Sequence, residues 1–168
     1  LTGNSLFRWI KFREILENTF SRKIIAFDIF GEFPETDFED DKAERKAFIE
    51  ETNGGTGISY EELNSLLYEQ GLNKNIDINK GDILKILPEY LDKNPQLKIS
   101  LLHIDVDLYE ATDIALKKLF SHVVKGGVIV FDDYGDFAGA NKAVDDFFNN
   151  NIEIKKLQYS HNIAYIVK

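Results

Sequence analysis

Two hydrophobic periods alternate along this chain, and the switches between them mark its elements. After Gly3-Asn4-Ser5, residues Leu6, Trp9, Ile10, Leu16 and Phe20 share one broad helical stripe. Phe7, Phe12 and Ile15 lie off that stripe, which predicts a first helix covered on more than one side. Residues 23–27 form a short apolar run ending at Asp28, and 29–34 turn away through Gly31 and Pro34. Ser59 with Glu62 spells a capping box, followed by Leu63, Leu66 and Leu67, with Gly71 as the stop. A strand over 76–79 ends at Lys80-Gly81-Asp82. Ile83, Ile86, Leu87, Tyr90 and Leu91 carry helical spacing, with Pro88 expected to kink or restart the helix. Ala140, Ala143, Val144, Phe147 and Phe148 form a clean helical face after Gly139. Two strands over 152–159 and 162–167, joined by a turn at Ser160-His161, predict a closing hairpin.

The centre of the pattern is residues 99–134. Two strand-length apolar runs each end in a pair of acids, Asp105 with Asp107 and Asp132 with Asp133. Between them Leu116, Leu119, Phe120 and Val123 carry helical spacing. Strand, helix, strand of this length is a βαβ unit, and such units give parallel strands. Parallel strands end at one edge of a sheet, and neighbours lie only ~4.8 Å apart. Two like charges ~5 Å apart at an effective dielectric of ~20 repel by roughly 3 kcal/mol. Four converging carboxylates therefore call for protons, a basic partner or a cation, and neither cluster holds a Lys or Arg. Oxygen ligands suit a hard divalent ion such as magnesium, calcium or manganese. The plainer alternative is that one or two of these acids cap helices and the rest are solvated.

Element order is thus helix, strand, repeated, with two consecutive strands at the end: an alternating α/β sandwich. Residues 35–57 stand apart. They are acid-rich at first (Glu35, Asp37, Glu39, Asp40, Asp41) and later contain Asn53-Gly54-Gly55-Thr56-Gly57. A helical patch over 42–51 fits within this irregular insertion, which reads either as a lid or partner surface or as a plain surface loop.

Composition narrows the class. At 168 residues, 43% hydrophobic and 12% aromatic, the chain supports one domain with one core. A net charge of −9 argues against nucleic acid or an anionic membrane as partner and fits an acidic cytoplasmic protein. There is no Cys, hence no disulfide or thiolate chemistry. No apolar run approaches the ~20 residues that span a bilayer. His103 in an apolar strand, His122, and His161 in a turn read as structural, because none has a ligand partner at helical spacing.

Three stretches carry a resemblance. Ala26-Phe27-Asp28-Ile29-Phe30-Gly31-Glu32-Phe33-Pro34, His103-Ile104-Asp105-Val106-Asp107-Leu108-Tyr109-Glu110-Ala111-Thr112 and Gly126-Gly127-Val128-Ile129-Val130-Phe131-Asp132-Asp133-Tyr134 resemble the macrocin O-methyltransferase family. The resemblance implies a Rossmann-like class I methyltransferase sandwich, mostly parallel, with an antiparallel C-terminal strand. It implies S-adenosyl-L-methionine and Mg2+, or another divalent cation, as cofactors. The acceptor would be a hydroxyl of a sugar or glycosylated small molecule; a homo-oligomeric state is left open. By the same resemblance Asp105, Asp132 and Asp133 would hold the metal, and Asp107 or a neighbour would accept the hydroxyl proton. Asp28 would sit near the cofactor ribose, Gly81 and Asp82 beside its adenine, and Gly3, Asn4 and Ser5 at its methionyl end. Asp28 has a separate reading as the cap of the turn that follows it.

The family's first strand and most of its glycine-rich loop would precede Leu1, so the expectation is a single methyltransferase domain over 1–168 that is N-terminally truncated and lacks its first strand. Two alternatives remain. One is a magnesium-dependent phosphatase of haloacid-dehalogenase type using Asp105 and Asp107, which lacks the intervening elements for its Ser/Thr and Lys. The other is a non-catalytic binding module.

Overall fold

The two acid-tipped runs become neighbouring parallel strands. In a computed structural model that describes residues 3–52, 57–149, 151–158 and 163–168, β3 (Ile99–Ile104) and β4 (Val123–Phe131) pair in parallel through Leu101↔Val128, Leu102↔Ile129, His103↔Val130 and Ile104↔Phe131. Near the start of the pair the register shifts, and Gly126 there takes a left-handed φ of 79°. A side chain at Gly127 would meet Val123 Cγ1 at 2.7 Å, so the shift requires a bare backbone at this point.

The chain divides into two compact units, residues 1–34 with 48–83 and residues 35–47 with 84–168. The first holds α1 (Asn4–Leu16), β1 (Ile24–Asp28), α3 (Tyr60–Glu69) and β2 (Ile76–Lys80). β1 and β2 pair in parallel from Ile24↔Ile76 to Asp28↔Lys80. Ile10, Leu63 and Leu67 form the core of this unit, packed with Leu6, Phe7, Ile24, Phe30, Leu72, Ile76 and Ile78. Burying three such aliphatic side chains contributes roughly 1.5–3 kcal/mol each. The expected capping box is present: Ser59 Oγ accepts the Glu62 amide at 3.1 Å, and Glu62 Oε2 accepts the Ser59 amide at 3.0 Å. Arg13, 7% exposed, reaches across to the carbonyls of Arg22, Lys74 and Asn75, each at 3.0 Å.

The second unit holds α4 (Ile83–Lys93) from Leu84 on, β3, α5 (Tyr109–Leu119), β4, α6 (Ala138–Phe148), β5 (Lys155–Lys156) and β6 (Ala164–Val167). Its sheet order is β3-β4-β6-β5, with β6 antiparallel to both of its neighbours. α5 buries Ala111, Thr112, Ala115, Leu116 and Leu119; α6 buries Gly139, Ala140, Ala143 and Val144. Phe120, Phe131, Phe147 and Phe148 close the base of this core in an edge-to-face cluster. α2 (Glu39–Glu51) crosses the boundary between the units at Phe48.

Several expectations are corrected. α1 is not covered on more sides than one: it ends at Leu16, and Ile15, Leu16 and Phe20 are about three-quarters exposed at 76%, 77% and 76%. Its inward face carries Ile10 and Arg13, both buried, with Leu6 and Phe7 partly buried against the same core. Phe120 and Val123 leave the α5 stripe, since a 3-10 turn over Phe120–His122 tightens the chain into β4. Pro88 does not restart the helix; α4 runs through it. The strand expected over 152–159 shrinks to Lys155–Lys156, an exposed edge with β6 as its neighbour. The antiparallel pairing holds, while Ser160-His161 fall outside the described residues. So do 53–56 of the insertion.

Candidate active site

The site begins where the ladder ends. Ile104 lies opposite Phe131, and the Asp132 amide donates to the Ile104 carbonyl at 3.0 Å. Asp105 and Asp132 therefore leave adjacent strands side by side. His103 precedes Asp105 by two residues, so both side chains emerge on one face of β3. His103 Nε2 lies 3.2 Å from Asp132 Oδ1. One ligand atom each from His103, Asp105 and Asp132 falls within 4.8 Å of the others. Ligand atoms around a single ion bound at ~2.0–2.6 Å sit at comparable separations, so these three fit one divalent cation.

The other two acids of the cluster turn inward. Asp133 is 7% exposed, and its Oδ2 accepts the amides of Val106 at 3.1 Å and Asp107 at 2.9 Å. That bond ties the end of β4 to the loop after β3. Asp107 sits in the left-handed region at φ 60°, unusual for a residue with a side chain. Burial pushes the Asp107 carboxyl up to about 6, with the Asp105 charge adding to it and a hydrogen bond from Asp133 opposing it. Burial pushes Asp133 up to about 8, and the Asp107 charge raises it further against the pull of the Asp107 amide. The two carboxyls titrate together as one pair, displaced upward from the ordinary aspartate range. A pair so poised gives and takes protons in the range a general base needs.

The residues that the resemblance assigns to the cofactor lie in the first unit. Asp28 and Lys80 are partners at the carboxyl ends of β1 and β2, and the Gly81 amide donates to the Asp28 carbonyl at 2.9 Å. Asp28, Gly81 and Asp82 thus gather at one sheet edge, the edge at which open α/β sheets bind ligands. Gly81 has φ 145°. Asp28 Oδ1 also accepts the Phe30 amide at 2.7 Å, so the turn-capping reading of this residue is present in the structure as well. Gly3, at φ 72°, precedes the first helical turn with Asn4 and Ser5 in it, and packs toward Leu63 and Phe7.

Sequence reasoning missed four residues here. His103 was read as core, though its spacing of two from Asp105 already placed both on one strand face. Asp41 stands in the sequence only as one acid of the 35–57 insertion, and Glu44 and Glu110 carry no assigned role there. Glu110 instead accepts from Thr36 Oγ1 at 3.0 Å and from the amides of Asp37 and Phe38, both at 3.0 Å. Glu44 Oε2 accepts the Ala138 amide at 3.0 Å. Asp41, wholly buried, accepts the Tyr109 amide at 2.8 Å. No local pattern announces these contacts, because each partner lies 68 or more residues away in the chain.

Comparison with known proteins agrees with this architecture. The chain superposes on the O-methyltransferase NovP with a TM-score of 0.75 and 24% identity, over 95% of this chain and 66% of that one. It superposes on CalS11, a TDP-rhamnose 3'-O-methyltransferase of calicheamicin biosynthesis, with a TM-score of 0.68 and 23% identity, over 98% and 66% of the two chains. These likenesses establish the class I O-methyltransferase fold; a haloacid-dehalogenase fold is not what is seen. A curated relative from Streptomyces olivaceus, 8-demethyl-8-(2,3-dimethoxy-alpha-L-rhamnosyl)-tetracenomycin-C 4'-O-methyltransferase, is 28% identical over 131 residues. That alignment spans 76% of this chain and 47% of the relative, so the chain covers about half the length of the curated protein it matches. Among the described residues no helix is long and apolar enough to cross a membrane. Residues 10–160 match the macrocin O-methyltransferase (TylF) family, and the chain belongs to that family.

Proposed function

We propose that this chain is the catalytic core of an S-adenosyl-L-methionine-dependent O-methyltransferase that methylates a hydroxyl of a sugar or glycosylated small molecule with the help of a divalent cation. The observation that carries the reading is the meeting of Asp105 and Asp132 at neighbouring strand tips, with His103 3.2 Å from Asp132, in a chain of this family. The cofactor is held by the first unit, with Asp28 toward the ribose, Gly81 and Asp82 toward the adenine, and Gly3, Asn4 and Ser5 toward the methionyl end. The tetracenomycin relative is named for a rhamnosyl acceptor and CalS11 for TDP-rhamnose, which favours a deoxysugar for this chain too.

His103, Asp105 and Asp132 would hold the cation; the resemblance assigns Asp133 to it as well, and Asp133 Oδ2 accepts the Val106 and Asp107 amides. When bound, the cation supplies a Lewis acid that lowers the pKa of the acceptor hydroxyl and fixes its place. The reaction is an in-line displacement. The acceptor oxygen forms a bond to the methyl carbon, the carbon–sulfur bond breaks, and the electron pair returns to sulfur as S-adenosylhomocysteine leaves. Asp107 takes the hydroxyl proton, and its neighbour Asp133 shares it. Because the cofactor brings a good leaving group, the protein's work is orientation and proton removal.

The test is transfer of a labelled methyl group from S-adenosylmethionine to TDP-rhamnose and to simple rhamnosides, with and without EDTA. Labelled methyl ether formed with magnesium and abolished by chelator is the expected result. Transfer indifferent to EDTA would remove the cation from the account, and phosphate release from a sugar phosphate would replace the reaction altogether.

A further inference from the structure

We propose that Asp41 is a positioning residue of the methyl-transfer centre: one buried carboxylate gathers the N-termini of α5 and α6 and so fixes the two loops that carry Asp105 and Asp132. The proposal rests on the reading of that centre given above.

Residues 35–47 cross the second unit as a strap rather than a loose loop. Asp41 is fully buried. Its Oδ2 accepts the amide of Tyr109, the first residue of α5, at 2.8 Å. The same carboxylate lies over Gly139, the second residue of α6, so closely that a Cβ there would overlap all three carboxylate atoms. Only glycine leaves room. Oδ1 makes no side-chain hydrogen bond of standard geometry, yet the Gly139 amide draws on the charge as the Tyr109 amide does. Burial still wins and holds the Asp41 carboxyl above its ordinary range. A negative group at two helix N-termini meets the positive ends of both. Glu44, one turn on, takes the Ala138 amide at 3.0 Å.

The grip is reciprocal. Glu110 of α5 holds Thr36, Asp37 and Phe38 at the start of the strap, and the Phe38 ring stacks on Tyr109 at 4.8 Å and 16°. Tyr109 follows Asp107 by two residues, and Ala138 follows Asp133 by five. The loop 105–109 is therefore pinned at one end by Asp133 through the Val106 and Asp107 amides and at the other by Asp41 through the Tyr109 amide. Asp107 sits at φ 60° between the two pins, a conformation that persists only when its surroundings impose it. Releasing Asp41 frees one pin, and the strained residue relaxes.

The test is amide hydrogen exchange, read residue by residue, on the full protein carrying Asp41→Asn or Gly139→Ala. The second variant displaces the carboxylate from the opposite side and stands in if the first fails to fold. The expected result is exchange about tenfold faster or more at Val106 and Asp107 as well as at Tyr109, with Ile129 in β4 unchanged. The Val106 and Asp107 amides donate to Asp133 and not to Asp41, so a merely local cap would speed Tyr109 alone. That result would overturn the proposal, as would faster exchange throughout β4. Binding of Mn2+ alone, followed by water-proton relaxation in the same proteins, should weaken about 10–100-fold, as loss of a supporting contact to ligands does. Unchanged Mn2+ affinity in a protein with a loosened loop would also overturn it. If the wild type takes up no Mn2+, the cation reading fails, and the exchange pattern alone decides the role of Asp41.

Discussion

The Asp133 carboxylate accepts the Asp107 amide at 2.9 Å, so one acid of the second pair holds the backbone of the first. Asp133→Ala leaves the Val106 and Asp107 amides without their partner, and a buried donor left unsatisfied costs about 1–3 kcal/mol. Asp133→Asn keeps an acceptor oxygen and should cost less. Urea unfolding of the two variants checks the order; equal loss in both would mean that the charge rather than the acceptor matters.

Asp132→Asn weakens the strand-tip cluster without touching Asp28 or Gly81. Methyl transfer should fall below detection while affinity for S-adenosylhomocysteine, measured by calorimetry, stays within about threefold, since effects at sites without shared partners are nearly independent. Retained turnover would remove Asp132 from the site.

Glu110 gives the strap a pH dependence. Burial raises its carboxyl, but the combined hydrogen bonds from its own amide, Thr36, Asp37 and Phe38 outweigh burial and hold it below the ordinary glutamate range. A depressed folded value means stabilisation that is complete above the unfolded pKa of ~4.3 and lost as pH falls through the folded value. Glu110→Gln should therefore be less stable than wild type near neutral pH, with the gap closing below about pH 4. A gap that stays constant across that range would show that ionisation of Glu110 is not what holds residues 36–38.

Arg13 is a buried clamp of the first unit. Arg13→Met keeps the aliphatic stem and strips the donors from the carbonyls of Arg22, Lys74 and Asn75. Each buried acceptor left without a partner costs about 1–3 kcal/mol, so a loss of roughly 2–4 kcal/mol in chemical denaturation is expected after partial relaxation. A loss under about 0.5 kcal/mol would place Arg13 among ordinary surface residues.

How much of this was readable in the sequence depends on the range of the interaction. The parallel pairing of the two acid-tipped strands followed from βαβ connection length, and the Ser59–Glu62 box followed from a three-residue spacing; both are local rules. The hairpin partners were legible, but the length of β5 was not, because an edge strand carries little pattern of its own. The exposure of Ile15, Leu16 and Phe20 contradicts their hydrophobicity, which speaks of burial without saying against what. In the site, Asp105 and Asp132 were visible as strand-end acids. The inward turn of Asp133 and the reach of Asp41 to Tyr109 were not, because a carboxylate that takes backbone amides looks in sequence like one that takes water.

The central claim is that the tips of β3 and β4 together hold one cation. Titration of the protein with Mn2+, followed by electron paramagnetic resonance of the free ion, tests it most directly. The account predicts one site in the wild type, weakened at least tenfold in His103→Ala and abolished in Asp132→Asn. Mn2+ bound as tightly by Asp132→Asn as by the wild type, or not bound by either, would contradict it.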